Sequence, residues 1–158
     1  MNERPDPAAM LCRNCVLADL KADTQVAVLD ALAGPLSRAT GIPADLVSDA
    51  LQARERLGAT AFGGGTAVPH ARFPELEGCV GAFAVLAEPV DFGAADGEPV
   101  DLVFALLSPA KDGADHLAAL AAVGRLFRDQ ARLRKLRGAQ GGAAIHALLL
   151  TDGWRDAA

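Results

Sequence analysis

Apolar positions recur at intervals of three and four along several stretches of the chain and run almost unbroken along two others. Val26, Leu29, Ala33 and Leu36 have helical spacing, with Asp23 or Thr24 as the N-cap, so a helix is predicted from about Thr24 onward. Gly34-Pro35 falls inside that stripe and predicts a kink or an early end. Ile42-Pro43 opens a second helix, Pro43 taking the first position, where a missing N–H costs nothing. Leu46, Val47, Ala50, Leu51 and Leu57 form its apolar stripe, and Gly58 is its C′ residue. Residues 60–62 and 66–70 read as short strands around Gly63, Gly64 and Gly65. The stretches 79–86 and 100–107 are nearly continuous apolar runs, which suit strands buried on both faces. Pro89, Gly93, Asp96-Gly97 and Pro99 punctuate the turn-rich link between them.

Three helices follow. Asp112 or Asp115 caps the first, whose buried face is predicted as Leu117, Leu120, Ala121, Gly124 and Phe127. Asp129 caps the second, which carries Leu133 and Leu136 and closes near Gly138; the third holds Ala144, Ile145, Leu148 and Leu149. Near the start, residues 15–20 form a short apolar stretch suited to an edge strand. Two helices, short strands, two buried strands and three helices make an α/β sandwich, its sheet covered by helices on both faces. Residues 1–11 carry prolines and charges with little pattern and read as a flexible tail. Residues 12–152 read as a single domain and residues 153–158 as a C-terminal tail.

Composition narrows the function classes. The 158 residues suit one core, and a 51% hydrophobic content excludes general disorder. No apolar run is long enough to span a bilayer and no secretory signal pattern appears, which predicts a cytoplasmic protein without membrane insertion. A net charge of −5 and the lack of a basic, aromatic-interleaved stripe argue against nucleic acid as partner. The basic cluster between Arg125 and Arg137 reads as the solvated face of a helix pair. Cys12, Cys15 and Cys79 are an odd number, so no disulfide scaffold follows and a reducing compartment is expected. Cys12-Arg13-Asn14-Cys15 lacks the second pair of a zinc ribbon and the preceding strand of a thioredoxin-like site. The pair therefore reads as two thiols in a short N-terminal segment.

The candidate chemistry centres on residues 54–72. Val68-Pro69 stiffens an extended segment that presents His70 in a defined direction, just after a glycine loop whose backbone N–H groups can approach an anion. His70 can serve as base, ligand or nucleophile. Gly63, Gly64 and Gly65 form neither a Walker A loop nor a dinucleotide fingerprint, and alone they signify a hairpin or bulge. From spacing alone, Arg54 is better read as a snorkelling arginine and His116 as a histidine filling the first turn of a helix. His146 reads as a surface or packing residue, and Cys79 as an inert thiol opening a buried strand. No histidine pair has metal-ligand spacing, so no metal is expected. As a nucleophile toward phosphorus, His70 needs donors for the phosphoryl oxygens. Arg54, a neutral His116, the glycine N–H groups and Thr60 are the candidates, and together they describe a phosphohistidine site.

The motifs R-E-x-x-G-x-T from Arg54, A-V-P-H ending at His70, P-V-D-L-V-F from Pro99 and D-H-L from Asp115 resemble enzyme IIA of the fructose/mannitol class of the bacterial phosphoenolpyruvate phosphotransferase system. The sequence looks closest to the nitrogen-regulatory branch, over roughly residues 15–150. The resemblance implies a central mixed sheet flanked by helices. It implies a phosphoryl group on His70, with Arg54 on its oxygens, His116 as hydrogen-bond partner, and no cofactor. The donor would be an HPr-like phosphocarrier protein. Where the family often has Gly-Ser-Thr-Gly before the loop, this chain has Gly58-Ala59-Thr60-Ala61, and Gly-Lys after the histidine is replaced by Ala71-Arg72. A regulatory phosphocarrier that binds target proteins according to its phosphorylation state is the leading expectation. A sugar-transport IIA serving a IIB component and a non-phosphorylated interaction module are the alternatives.

Overall fold

The two unbroken apolar runs become the centre of a six-stranded sheet, because their side chains are needed on both faces. The computed structural model describes residues 6–111 and 113–150. In chain order the elements are α1 Pro7–Met10, β1 Leu11–Leu20, α2 Gln25–Thr40, α3 Ala44–Leu57, β2 Ala61–Gly63, β3 Thr66–Ala67, β4 His70–Phe73, β5 Val80–Val90, β6 Val100–Pro109, α4 Gly113–Arg128, α5 Gln130–Gly138 and α6 Gly142–Leu150. The strands run β1-β5-β6-β3-β2, with β4 also on β6. β5 and β6 are antiparallel, and β1 joins β5 in parallel as an edge. β3 and β4 both run parallel to β6, and β2 returns antiparallel on β3, so the sheet is mixed.

Alternation along the two central strands builds two cores. Ala82, Ala84 and Leu86 of β5 and Val103, Ala105 and Leu107 of β6 face α2 and α3. Phe83 of β5 and Leu102, Phe104 and Leu106 of β6 face α4, α5 and α6. Helices therefore cover both faces, as the continuous apolar runs predict.

Several local expectations are corrected. α2 runs through Gly34-Pro35 without ending; Thr24 caps it by accepting from the Ala27 N–H at 3.1 Å. Leu29, Leu32, Ala33 and Leu36 are fully buried on the sheet. Three buried leucines at roughly 1.5–3 kcal/mol each outweigh the ~3 kcal/mol that an internal proline costs. Pro43 is the N-cap rather than the first helical residue. The face that α3 buries is Val47, Ser48 and Leu51, while Leu46 and Leu57 are exposed, Leu57 to 85%. Ser48 is satisfied by donating to Asp30. The predicted strand 66–70 breaks at Val68-Pro69 into β3 and β4, since Pro69 has no N–H for the ladder, although its carbonyl accepts from Leu106 at 2.9 Å.

At the N-terminus, residues 7–10 are a short helix rather than part of a tail. Asp6 caps it through the Ala8 N–H at 2.8 Å, Pro7 supplies a preset φ, and Met10 is buried in the core under α4 and α6. Leu11 already belongs to β1. The expected tails at residues 1–5 and 153–158, and the candidate cap Asp112, lie outside the described residues. Asp115 stands within the first turn of α4. No helix among the described residues is long and apolar enough to cross a membrane.

Candidate functional site

His70 opens β4 directly after Pro69, its backbone in register with Leu106 of β6. Two hydrogen bonds fix its ring. Nδ1 lies 2.8 Å from the Val68 carbonyl oxygen, which can only accept, so the ring proton sits on Nδ1. Nε2 is then the lone-pair nitrogen, and it accepts from Arg54 Nε at 3.2 Å. Arg54 reaches it from the last turn of α3, while its Nη1 donates to the Gly58 carbonyl at 3.0 Å. Burial pushes the His70 pKa below its ordinary 6.5; the Val68 carbonyl works against that, Arg54 adds to it, and Glu55 opposes it more weakly.

His116 comes from the first turn of α4 and is 8% exposed. Its ring centroid lies 5.4 Å from that of His70. Nδ1 is 2.8 Å from the hydroxyl of Ser108, a fully buried residue near the end of β6. The Cys79 thiol approaches the same hydroxyl at 3.6 Å. If the thiol donates to Ser108 Oγ, the Ser108 O–H is left to donate to His116 Nδ1, and the His116 proton rests on Nε2. Burial, then His70, Arg72 and Arg54 nearby, hold the His116 pKa below 6.5. Both rings are thus neutral near pH 7.

Arg54, His70 and His116 converge from three elements separated in sequence. The glycine loop does not join them. Gly65 precedes Thr66, which pairs with Leu102, whereas His70 pairs with Leu106, four residues or about 13 Å further along β6. The loop is also engaged where it sits. The Gly64 N–H donates to Asp96 at 2.9 Å, and its carbonyl accepts from Arg137 Nη2 at 2.7 Å. Arg137 in turn makes a two-pronged ion pair with Asp101, at 2.8 and 2.9 Å. Gly63, Gly64 and Gly65 all have positive φ, which a β2–β3 hairpin turn requires. The structure thus places this loop apart from His70 and gives it a structural role as a hairpin turn. Thr60 is nearer the site but also committed: its N–H and hydroxyl both donate to Glu55, the N–H at 3.2 Å.

Residues with roles that sequence reasoning passed over are Glu55, Ser108, Arg72 and the Val68 carbonyl. Glu55 ties Thr60 and Gln25 to the end of α3 that carries Arg54. Arg72 donates to the Pro109 and Ala110 carbonyls, at 3.4 and 2.8 Å, and so pins β4 to the loop leading to α4. The adjacency of Glu55 to Arg54 was the available signal for the first. Ser108 offered none, since it reads as the polar end of an apolar strand.

Among the described residues no cluster of three or more His, Cys, Asp or Glu can hold a metal ion. What the arrangement offers is a neutral imidazole with an aimed lone pair, a guanidinium on that lone pair, and a second neutral imidazole beside it.

The model of the family described as "Phosphoenolpyruvate-dependent sugar phosphotransferase system, EIIA 2" matches residues 9–151. A nitrogen regulatory protein of Bradyrhizobium diazoefficiens is 44% identical over 140 residues, covering 89% of this chain and 92% of that one. The crystal structure of nitrogen regulatory protein IIA-Ntr from Neisseria meningitidis superposes with a TM-score of 0.84 at 30% identity, covering 90% of this chain and 97% of that one. Escherichia coli IIA mannitol shares the fold, with a TM-score of 0.72 at 20% identity over 85% of this chain and 95% of its own.

Proposed function

Because the chain belongs to the EIIA 2 family of the phosphoenolpyruvate-dependent sugar phosphotransferase system, we propose that it is a regulatory phosphocarrier whose acceptor atom is Nε2 of His70. The single observation that carries this reading is the pair of bonds on the His70 ring, Nδ1 to the Val68 carbonyl and Nε2 to Arg54. They leave one nitrogen basic and aim it at the space shared by Arg54 and His116.

The donor is an HPr-like phosphocarrier protein, with phosphoenolpyruvate as the ultimate source. As the Nε2–P bond forms, the P–N bond of the donor breaks and its ring nitrogen recovers the lone pair. Nε2 then has no lone pair left for Arg54, whose guanidinium turns to the phosphoryl oxygens as a charge-assisted donor. His116 donates from Nε2 without changing its own protonation. The phosphoryl group adds a charge of about −1.5 to −2 to this face and changes which proteins dock there. The 44% identity to a nitrogen regulatory protein supports regulation over sugar transport.

The test is labelling with phosphoenolpyruvate, its cognate first enzyme and an HPr-like protein. One acid-labile phosphoryl group per chain is expected, absent in His70→Ala. Label that persists in His70→Ala overturns the acceptor assignment. Rapid transfer from the phosphorylated chain to a IIB component of the same organism would make it a sugar-transport IIA instead.

A further inference from the structure

Cys12 and Cys15 bring their sulfurs together, with Cα atoms 5.1 Å apart, inside the range a disulfide spans. The odd cysteine count argues against any scaffold; the structure pairs these two, and Cys79 lies outside the pair. The pairing is built into β1. Leu11 is in register with Gly81 of β5, but the next partners are Val16 and Phe83, five steps on one strand against two on the other. Residues 12–15 bulge out of the ladder, and Asn14 turns the chain with a φ of 64°, a left-handed conformation that asparagine tolerates.

The two thiols are not equivalent. Cys15 is fully buried in the core under α2 and α3. Cys12 is only partly buried and lines an open cavity of about 390 Å³ with Asn14, Val16, Gly142, Ala143 and His146. A bond here closes a loop of only two intervening residues. Loop-closure stabilisation grows with loop length, so the bond is a poor staple. A short pair with one solvent-reachable sulfur, that of Cys12, belongs with the exchangeable disulfides.

We propose that Cys12 and Cys15 form a reversible dithiol–disulfide site, with Cys12 the exchanging thiol and Cys15 the resolving one, and a small-molecule disulfide of the glutathione class as oxidant. The Cys12 thiolate attacks one sulfur of glutathione disulfide. That S–S bond breaks, one glutathione leaves as thiolate, and a mixed disulfide forms on Cys12. The Cys15 thiol then loses its proton and attacks the Cys12 sulfur, releasing the second glutathione. Two protein thiols are oxidised to one disulfide while one glutathione disulfide is reduced to two thiols, so electrons and atoms balance. The site is independent of the His70 chemistry.

The test equilibrates the wild-type chain in glutathione buffers of graded redox ratio, blocks free thiols by alkylation and maps tryptic peptides. Cleavage after Arg13 separates Cys12 from Cys15 unless a disulfide joins them. The joined pair should appear and disappear reversibly across the series, with Cys79 alkylated throughout. In Cys15→Ser the mixed disulfide should accumulate on Cys12, and Cys12→Ser should trap several-fold less on Cys15. A pair that stays joined at every ratio, or never joins, overturns the proposal; so does equal trapping in the two variants. The wild-type arm decides the matter even if Cys15→Ser folds poorly.

Discussion

Arg54 Nε stands 3.2 Å from Nε2 of His70, on the one ring nitrogen that the Val68 carbonyl leaves unprotonated. A cation resting on a lone pair keeps that nitrogen from taking up a proton, yet the guanidinium can turn away as soon as the lone pair enters a bond. On the proposed phosphocarrier reading, the same contact would guard the free site and serve the phosphorylated one.

Arg54→Ala should slow both acceptance and release of the phosphoryl group by about 10²-fold, the usual cost of removing one donor aimed at developing charge. Arg54→Lys should recover only part of this, because an ammonium cannot bond the Gly58 carbonyl and the His70 ring as a planar fork does. Quench-flow labelling from a phosphorylated HPr-like protein measures both. Equal rates for Lys and Arg would mean that charge alone matters.

Ser108→Ala should remove the group that holds His116 Nδ1 and release the ring to the other tautomer. Losing one hydrogen bond of about 1–1.4 kcal/mol predicts roughly a 5- to 10-fold slower onward transfer, with labelling of His70 retained. His116→Ala should show the same split more strongly. A Ser108→Ala variant that fails to label at all would place Ser108 in the acceptance step instead.

The face that α4 buries shows where sequence reading stopped. The pattern offered Leu117, Leu120, Ala121, Gly124 and Phe127; Gly124 and Phe127 are buried and Leu120 is partly so, but the helix also buries His116, Ala119, Ala122 and Val123 and leaves Leu117 68% exposed. In the first turns of the helix the buried face is shifted toward His116, which is carried inward. Hydrophobicity alone disfavours it, and the buried hydroxyl of Ser108, eight residues back near the end of β6, makes it possible. The sheet, by contrast, was legible, because short runs such as 100–107, bounded by turn residues, suit a strand covered on both faces. His70 was legible for a local reason as well, since Val68-Pro69 sets its direction within three residues. Arg54 and His116 became site residues only through the family resemblance, as nothing in their own segments shows what they face. The glycine loop was ambiguous because positive φ serves a hairpin turn and an anion nest equally well, and the bonds that favour the turn come from Asp96, Asp101 and Arg137 elsewhere in the chain.

That last distinction can be measured. A Cβ at Gly65 would come within 2.7 Å of Arg137 Nη2 and 2.9 Å of Asp101 Oδ1, at a φ of +82°. Gly65→Ala should destabilise the fold by about 1–3 kcal/mol, through backbone strain and a disturbed ion pair. Urea unfolding reads that loss. The initial rate of His70 labelling should stay within about twofold of wild type under native conditions, because the loop is some 13 Å along β6 from the acceptor. A large loss of labelling rate in a folded Gly65→Ala protein would restore the loop to the site.

Acid should act on the two histidines in a way that reports their burial. Both have folded-state pKa values below 6.5, chiefly through desolvation. As pH falls through 6.5, the unfolded chain takes up protons at these positions before the folded chain does. Their contribution to stability is therefore complete above 6.5, is lost progressively as pH drops toward the folded values, and changes no further below them. Acceptance of the phosphoryl group follows the folded protein alone. Its rate should stay level past 6.5 and decline only at lower pH, where Nε2 of His70 becomes protonated. Urea titrations of wild type and the double variant His70→Gln, His116→Gln, between about pH 7.5 and about pH 5, isolate the stability component. Wild type should lose more stability than the variant over that interval. A labelling midpoint at or above 6.5, or parallel stability losses in the two proteins, would show that these rings titrate as if free in water.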